Sequence, residues 1–593
     1  MGIEGLAAFV YKGRNRFLET VTLKDGSSLV FDGNNYFNQS NVPKRFGGDY
    51  ASLYAHYEHD FKCLQRTGVT SYVILDGQRV VNTIKNQLTQ EGRQGFISNI
   101  KYLDHDTKDR NKYPKPIFLR SVFLQVLQDM RIPHAVSDNE ADTAVASVAK
   151  KLGCPVVSDD SDFLMLNLDH GVIRVSDLKQ SLLKENTKCN VYYFTNMVRY
   201  LNIDPILTPF VSVILGNDYS KEDNLHLEIQ NSIRAEDVKT INKKLKCITS
   251  YLRGRTKNFL MSDISRTINI KQDTIQSWCN RYDLELFREE AEVLYPLLFD
   301  TSTPQEKIQL LCTTSKSQMK QLVKGLCQYG LVCASIANLY FWDIHFNAVQ
   351  CESVNQESSC QASKRLRNYM YALLKYERLC ETERVVITEY RRNGEHYSKS
   401  TKEVKKVDWS DIPIDVLFLQ CHREGEKNPG AEKKKEIILQ LVQYPHENLK
   451  DVPQEHELFM LSLHYVILQQ QERRRNNITW LHVKALLICY LSSYYSTAAA
   501  DIRVESSDLM VDIDASHAFA ECQSCLYYLD IINTLFFRPF QSLDYSAVFN
   551  GCFVHTIFKN LKEGFIDKDL VTDGSKKLYE KLENFLPRDL LER

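Results

Sequence analysis

Over roughly the first 220 positions, short apolar runs alternate with longer stretches in which apolar residues recur every three or four positions. The runs read "SLVFDG", "SYVILDG", "IPHAVS", "CPVVSDD" and "GVIRVSDL". Each is too short for a helix and rich in β-branched residues, so each predicts a strand. Between them lie the helical patterns "DYASLYAHYEHDFKCLQRTG", "PIFLRSVFLQVLQDMR" and "EADTAVASVAKKLG". In the last, Ala141, Ala144, Val145, Val148 and Leu152 share one face, and Gly153 stands where a C-terminal cap belongs. Strands alternating with helices predict an α/β layer on a mainly parallel sheet. Beyond about residue 225 long helical patterns dominate, as in "QMKQLVKGLCQYGLVCASIANLYFW" and "ELFMLSLHYVILQQQERRR". The expected organisation is an α/β domain over 1–222 and a mainly α-helical region over 223–593, with room for more than one domain. The polar segments "CESVNQESSCQASKR", "RRNGEHYSKSTKEVKKVD" and "REGEKNPGAEKKKE" read as loops or linkers.

Composition changes this picture little. A hydrophobic fraction of 43% in 593 residues describes a folded chain of several domains. With 74 basic and 75 acidic residues, no global charge announces a nucleic-acid partner, so any such site must be local. The 16 cysteines lie mostly in apolar stretches, which reads as reduced intracellular thiols, and the N-terminus lacks a cleavable signal layout. Leu6 stands where a myristoylation signal needs Ser or Thr. "WLHVKALLICYLSSYYSTAAA" carries His482 and Lys484 and shows the stripe of a core helix, so the chain reads as soluble, without a membrane partner.

Acids end three of the runs: Asp32 after "LVF", Asp76 after "VIL", and Asp160 with Asp162 after "VVSD". Glu140 and Asp142 follow "PHAVS", and Asp218 follows "PFVSVILGN". In a parallel sheet the C-terminal strand ends share one edge, where open α/β folds hold their ligands. Singly, each acid has an ordinary reading: a turn residue before glycine, or a helix N-terminal acid. As a set they are costly, because two carboxylates about 4 Å apart repel by about 4 kcal/mol at an effective dielectric of about 20. Protons or hard divalent cations relieve such crowding, and two ions of this kind activate water for phosphodiester hydrolysis.

In order along the chain, "MGIEGL", "VFDGNNYF", "VILDG", "DNEADTAVA", "VVSDDSDFL" and "VILGNDYS" resemble the N and internal regions of flap endonuclease and XPG-type nucleases. "GGDYASLYAHY", the short stretch after Asp76 and the long helical C-terminal region are most similar to the asteroid branch of that family. The resemblance implies a PIN-like domain over 1–222 with an arch or gateway segment at about 78–115. It also implies two divalent ions, Mg²⁺ or Mn²⁺, held by Asp32, Asp76, Glu140, Asp142, Asp160, Asp162 and Asp218. Asp142 stands where flap enzymes usually carry Glu, and Asp159 is expected to stay outside the ligand set.

The implied activity is structure-specific DNA cleavage with a role in repair, which would place the protein in the nucleus. Single strands, overhangs or flaps are the expected substrates, because "NDYSKEDNLHLEIQNSIRAEDVKTINKKL" lacks the glycines with which flap endonucleases grip duplex. The C-terminal "YEKLENFLPRDLLER" also lacks a sliding-clamp peptide. Candidate substrate contacts are Gly2, Tyr36 or Phe37 as a base-stacking ring, with a core aromatic the equal alternative, and Lys85, Arg93 and Lys101, spaced eight apart in the arch. Gly92 and Gly95 argue against a continuous helix there. Cys522, Cys525, Cys552 and His555, with His517, have spacing that permits zinc, but their apolar context favours buried thiols. Two rival readings remain: an RNA nuclease, and a non-catalytic partner in growth-factor receptor signalling that docks proteins through the helical region.

Overall fold

The computed structural model describes residues 2–3, 5–40, 42, 44–78, 83–103, 113–183, 188–216, 240–314, 318–381, 384–405, 429–495, 510–571 and 573–591. They fall into two compact units with interleaved chain segments. The first comprises Met1–Gln39, Glu58–Leu88 and Met130–Thr301, and the second Ser40–Tyr57, Thr89–Asp129 and Ser302–Arg593.

The first unit is built on a seven-stranded sheet: β1 (Leu18–Thr22), β2 (Ser28–Asp32), β3 (Thr70–Leu75), β4 (His134–Val136), β5 (Val156–Val157), β6 (Val172–Ile173) and β7 (Lys188–Tyr192). The strand order is β1-β7-β6-β5-β2-β3-β4. The pairs β2/β3, β3/β4, β2/β5 and β5/β6 are parallel, whereas β7 runs antiparallel to both β1 and β6. All five apolar runs enter the sheet, and the mainly parallel α/β architecture expected from their spacing is present. The helical patterns between them form Tyr50–Arg66, Leu119–Asp129 and Ala141–Leu152. Gly153 caps the last in the left-handed conformation, its N–H donating to the carbonyls of Ala149 and Lys150.

Chain order runs outward from β2 through β3 to β4, then returns to the other side of β2 with β5. That reversal is a topological switch point, where the loops leaving two neighbouring strands diverge and open a crevice. β2 is the hub, with Leu29, Val30 and Phe31 fully buried. A strand covered on both faces has no polar alternation, which is why it reads as a continuous apolar run.

The compact unit and the expected 1–222 domain overlap only in part. The helix Thr208–Leu215 buries Phe210, Val211, Val213 and Ile214 in one apolar cluster with Leu245, Ile248, Leu260, Ile275 and Leu294. A helix apolar all round needs cover on every side. Residues 240–301 supply it.

The second unit is largely helical, as expected, and also holds a three-stranded sheet: β8 (Ile344–Phe346), β9 (Val385–Asn393) and β10 (His396–Val404), in the order β10-β9-β8. Two segments expected to be linkers are corrected here. "RRNGEHYSKSTKEV" forms most of the β9–β10 hairpin, closed by the two residues Gly394 and Glu395 with Gly394 at φ +57°. "CESVNQESSCQASKR" is folded inward, with Cys351, Glu352, Ser353, Ser358, Ser359 and Cys360 buried. It wraps the buried guanidinium of Arg392, whose Nε donates to Glu352 Oε1 at 2.6 Å. The other guanidinium nitrogens reach the carbonyls of Ser353, Val354, Gln356 and Gly394. The third segment is helical from Pro429 (Pro429–Leu441), and its earlier part lies outside the described residues. Among the described residues no single helix is long and apolar enough to cross a membrane.

The glycine after Asp76 is required by close backbone approach. Its N–H donates to the Asn139 carbonyl at 2.8 Å, and a Cβ built on Gly77 would stand 1.7 Å from the Ser137 carbonyl oxygen. Gly77→Ala is therefore expected to separate the end of β3 from the β4 loop, lowering stability by about 1–3 kcal/mol. A thermal melt followed by circular dichroism checks this; an unchanged Tm would contradict the packing.

Candidate active site

Each acid is delivered by the end of an element. Asp32 closes β2 and caps the following helix, Gly33–Asn38: its Oδ1 accepts the Asn35 N–H at 3.0 Å. Its Oδ2 accepts the Ser158 hydroxyl at 2.8 Å. Asp76, just after β3, accepts the Ala141 N–H on Oδ1 at 2.9 Å and the Asn34 amide on Oδ2 at 2.6 Å. It thereby ties the helix Ala141–Leu152 to the sheet edge, placing Glu140 at that helix's N-cap and Asp142 in its first turn. The positive end of the helix favours carboxylates there.

The loop after β5 is organised by Ser158. While its hydroxyl donates to Asp32, its oxygen accepts the Asp160 N–H at 3.0 Å. Asp160 Oδ1 then accepts the Asp162 N–H at 3.1 Å and caps a short 3-10 turn, Ser161–Met165, which re-enters the core through Phe163, Leu164 and Met165. Asp159 turns aside, accepting from Arg174 Nε at 3.2 Å. Two further contacts reach the acids from beyond residue 240. Tyr282 donates to Asp162 Oδ1 at 3.2 Å, and an Arg281 nitrogen lies 3.7 Å from Glu140 Oε2.

Electrostatics mark the set as a unit. Burial, followed by the charge of Asp76, raises the Asp32 carboxyl from its ordinary value to about 7, against the lowering effect of the Asn35 and Ser158 hydrogen bonds. Asp142 is pushed well above the usual carboxylate range by burial and then by Asp160, Asp32, Asp76 and Asp162. Five of the seven expected acids thus act on one another through space. Asp218 lies outside the described residues. Among the described residues no group of three or more His, Cys, Asp and Glu side chains is drawn together as metal ligands would be. The donor chemistry nonetheless fits a hard divalent cation: all oxygen and mutually repelling, with Asp32 and Asp162 buried and Asp76, Glu140, Asp142 and Asp160 half-buried.

The expected substrate contacts fare differently. Gly2 does lie against the acids, since a Cβ there would stand 2.3 Å from Asp160 Oδ1. Tyr36 is a correction. Its ring is fully buried against Phe31 and Phe61 and its hydroxyl donates to Asp60 at 2.7 Å, so it is a core residue with no face open to a base. The expectation that Gly92 and Gly95 interrupt a helix in the arch segment is corrected: Thr83–Ile100 is one continuous helix, held by buried Ile97 and Ile100. Within the second unit, Arg93 donates to the Asn347 carbonyl and lies 5.5 Å over the Tyr397 ring, while Lys101 pairs with Glu395 at 2.5 Å. The amides of Gln90 and Gln94 bond the Tyr397 backbone. Lys85 is in the helix, and its side chain lies outside the described residues. Cys522 and Cys525 are buried in the helix Ile513–Leu535, and buried His555 contacts the Ser516 hydroxyl at 3.3 Å.

Sequence reasoning missed Ser158, Asn34, Asn35, Arg281 and Tyr282. The first three sit inside the quoted motifs, where a hydroxyl or amide one to three residues from an acid is a legible capping signal. The last two carry no local signal.

Two family models match the chain: one described as XPG domain containing, over residues 115–404, and one described as the Asteroid N-terminal domain, over residues 492–590. The chain is 22% identical over 621 residues to a zebrafish (Danio rerio) protein named single-strand DNA endonuclease ASTE1, covering 99% of this chain and 86% of that protein. The human (Homo sapiens) protein of the same name is 22% identical over 639 residues, covering 98% and 90%. Protein asteroid of Drosophila melanogaster is 30% identical over 178 residues, covering 29% and 20%. Among solved structures, the catalytic core of Rad2 in complex with DNA substrate matches at 14% identity and TM-score 0.26, covering 47% of this chain and 98% of that one.

The raised Asp32 carboxyl has a consequence for metal-free protein. A carboxyl that titrates near pH 7 in the fold, against about 4 when unfolded, takes stability away as pH rises through that window. Asp32→Asn removes the penalty and keeps an oxygen to accept the Asn35 N–H, while its amide can donate to the Ser158 hydroxyl oxygen in place of the present bond. In chelator, its Tm should exceed wild type by more at pH 8 than at pH 5; an equal loss of Tm at both values would contradict the assignment.

Proposed function

We propose that this chain, which belongs to the asteroid family of XPG-type nucleases, is a divalent-metal-dependent endonuclease that cuts single-stranded DNA, overhangs or flaps and serves DNA repair in the nucleus. The observation that carries the reading is the set of mutually repelling carboxylates, two buried and the rest half-buried, at the C-terminal edge of β2, β3, β4 and β5. Stability alone gives no reason to collect such charges at a topological switch point; a cation-dependent reaction does. The names of the zebrafish and human relatives, each aligned over nearly the whole chain, support single-stranded DNA as the substrate.

Asp32, Asp76, Glu140, Asp142, Asp160 and Asp162 would hold Mg²⁺ or Mn²⁺, with Asp218 joining them on the sequence motif. When bound, such ions supply Lewis acidity and a water acidic enough to attack a phosphodiester. The chain's own groups provide orientation. Ser158 fixes Asp32 relative to the Asp160 backbone, Asn34 and the Ala141 N–H fix Asp76, and the N-terminus of Ala141–Leu152 lends positive potential to an acid-rich pocket that must admit an anion. Gly2, beside Asp160, leaves room for backbone approach. A grip on duplex of the flap-endonuclease kind would fall on residues 217–239, which lie outside the described residues.

The assay is direct. Wild type with Mg²⁺ should cut labelled single-stranded or tailed DNA faster than blunt duplex, and chelator should abolish cutting. The Asp160→Ala/Asp162→Ala variant should lose at least about 100-fold in rate. Equal cutting of blunt duplex would overturn the substrate, faster cutting of matched RNA would overturn the choice of DNA, and an equally active double variant would overturn the mechanism.

A further inference from the structure

The segment 272–298 lies more than a hundred positions from Asp162, yet three of its side chains act on the acid-bearing loops. The helix Gln272–Asn280 ends where the Tyr282 N–H donates to the Cys279 carbonyl at 3.1 Å. Asp283 then caps a 3-10 turn, Leu284–Phe287, by accepting the Glu285 N–H at 3.2 Å, and the helix Arg288–Leu298 follows. Tyr282 is pinned between these two backbone stops, and its buried ring shares one apolar cluster with Phe163 and Leu164. Its hydroxyl is left pointing at Asp162 Oδ1, 3.2 Å away.

On the same segment, Glu290 accepts the Ser137 hydroxyl at 2.7 Å and the Thr143 hydroxyl at 3.0 Å. These two residues flank Glu140 and Asp142. The segment thus braces both acid-bearing loops, through Tyr282 on one and Glu290 on the other.

Resting on the reading of the acids as a metal site, we propose that Tyr282 is a positioning residue: its hydroxyl holds the Asp162 carboxylate in one orientation before any ion arrives. A carboxylate among like charges otherwise rotates away from them, and a fixed donor removes that freedom. In this role Tyr282 acts through Asp162 rather than on substrate or ion.

The test titrates Mn²⁺ alone, without DNA, into wild type, Tyr282→Phe and Tyr251→Phe, with binding followed by calorimetry. Tyr251→Phe is the control, since it removes a comparable tyrosine–aspartate bond, to Asp263 at 2.5 Å, elsewhere in the same unit. Tyr282→Phe keeps the ring and should fold. It is expected to weaken Mn²⁺ binding about tenfold and to raise by the same factor the Mg²⁺ concentration giving half-maximal cutting. KM for DNA should not change, and Tyr251→Phe should bind Mn²⁺ as wild type does. Wild-type Mn²⁺ affinity in Tyr282→Phe, or an equal loss in Tyr251→Phe, overturns the proposal while leaving the nuclease reading intact. A wild type that neither binds Mn²⁺ nor cuts DNA overturns both.

Discussion

Carboxylates gathered at one sheet edge repel one another, and the first unit is organised around tolerating that repulsion. Five adjacent parallel strands, β4-β3-β2-β5-β6, fix the directions in which the loops leave, so Asp32, Asp76, Asp160 and Asp162 emerge at one edge. The acids cannot drift apart without breaking the sheet, because the centre of β2 is fully buried and the strand is hydrogen-bonded on both sides. What the fold provides in return is a set of neutral donors: the Ser158 hydroxyl, the Asn34 amide, and the N–H groups of Asn35, Ala141 and Asp162. Neutral donors steady a carboxylate without neutralising it, and the raised Asp32 and Asp142 show the residual charge still seeking a proton or a cation.

The second unit solves a different electrostatic problem. Its β9–β10 hairpin carries Glu389 and Arg392 inward, where each meets a fully buried opposite charge: Arg367 at 3.0 Å and Glu352 at 2.6 Å. Buried pairs of this kind recover their desolvation cost only when the remaining donors and acceptors are satisfied. Arg392 meets that condition with four backbone carbonyls. The residues wrapping it are therefore core in spite of their polarity. Tyr397 and Glu395 of the same hairpin meet Arg93 and Lys101, so these two cations have a structural occupation that their helical spacing did not disclose.

Much of the site was legible in the sequence because strand ends announce themselves: a β-branched run followed by an acid predicts both β2 with Asp32 and β3 with Asp76. β1 and β7 escaped because "LETVT" and "KCNVY" mix polar and apolar residues, as antiparallel strands away from the sheet centre do. The β9–β10 hairpin was hidden by its charge, although Asn393-Gly394 between alternating segments is a turn signal. Tyr36 was misread because an aromatic four residues after an acid looks the same in a core and at a binding surface. Tyr282 was out of reach altogether, since contact across more than a hundred positions depends on how the helices beyond residue 240 cover the apolar helix Thr208–Leu215.

The central claim is that the acidic sheet edge exists to hold divalent cations. Crystals of the full chain soaked in Mn²⁺, with data collected at the manganese absorption edge, test it without reference to any substrate. Anomalous density bounded by Asp32, Asp76, Asp142, Asp160 and Asp162 is the expected result. Ordered manganese elsewhere on the chain with none at this edge would contradict it.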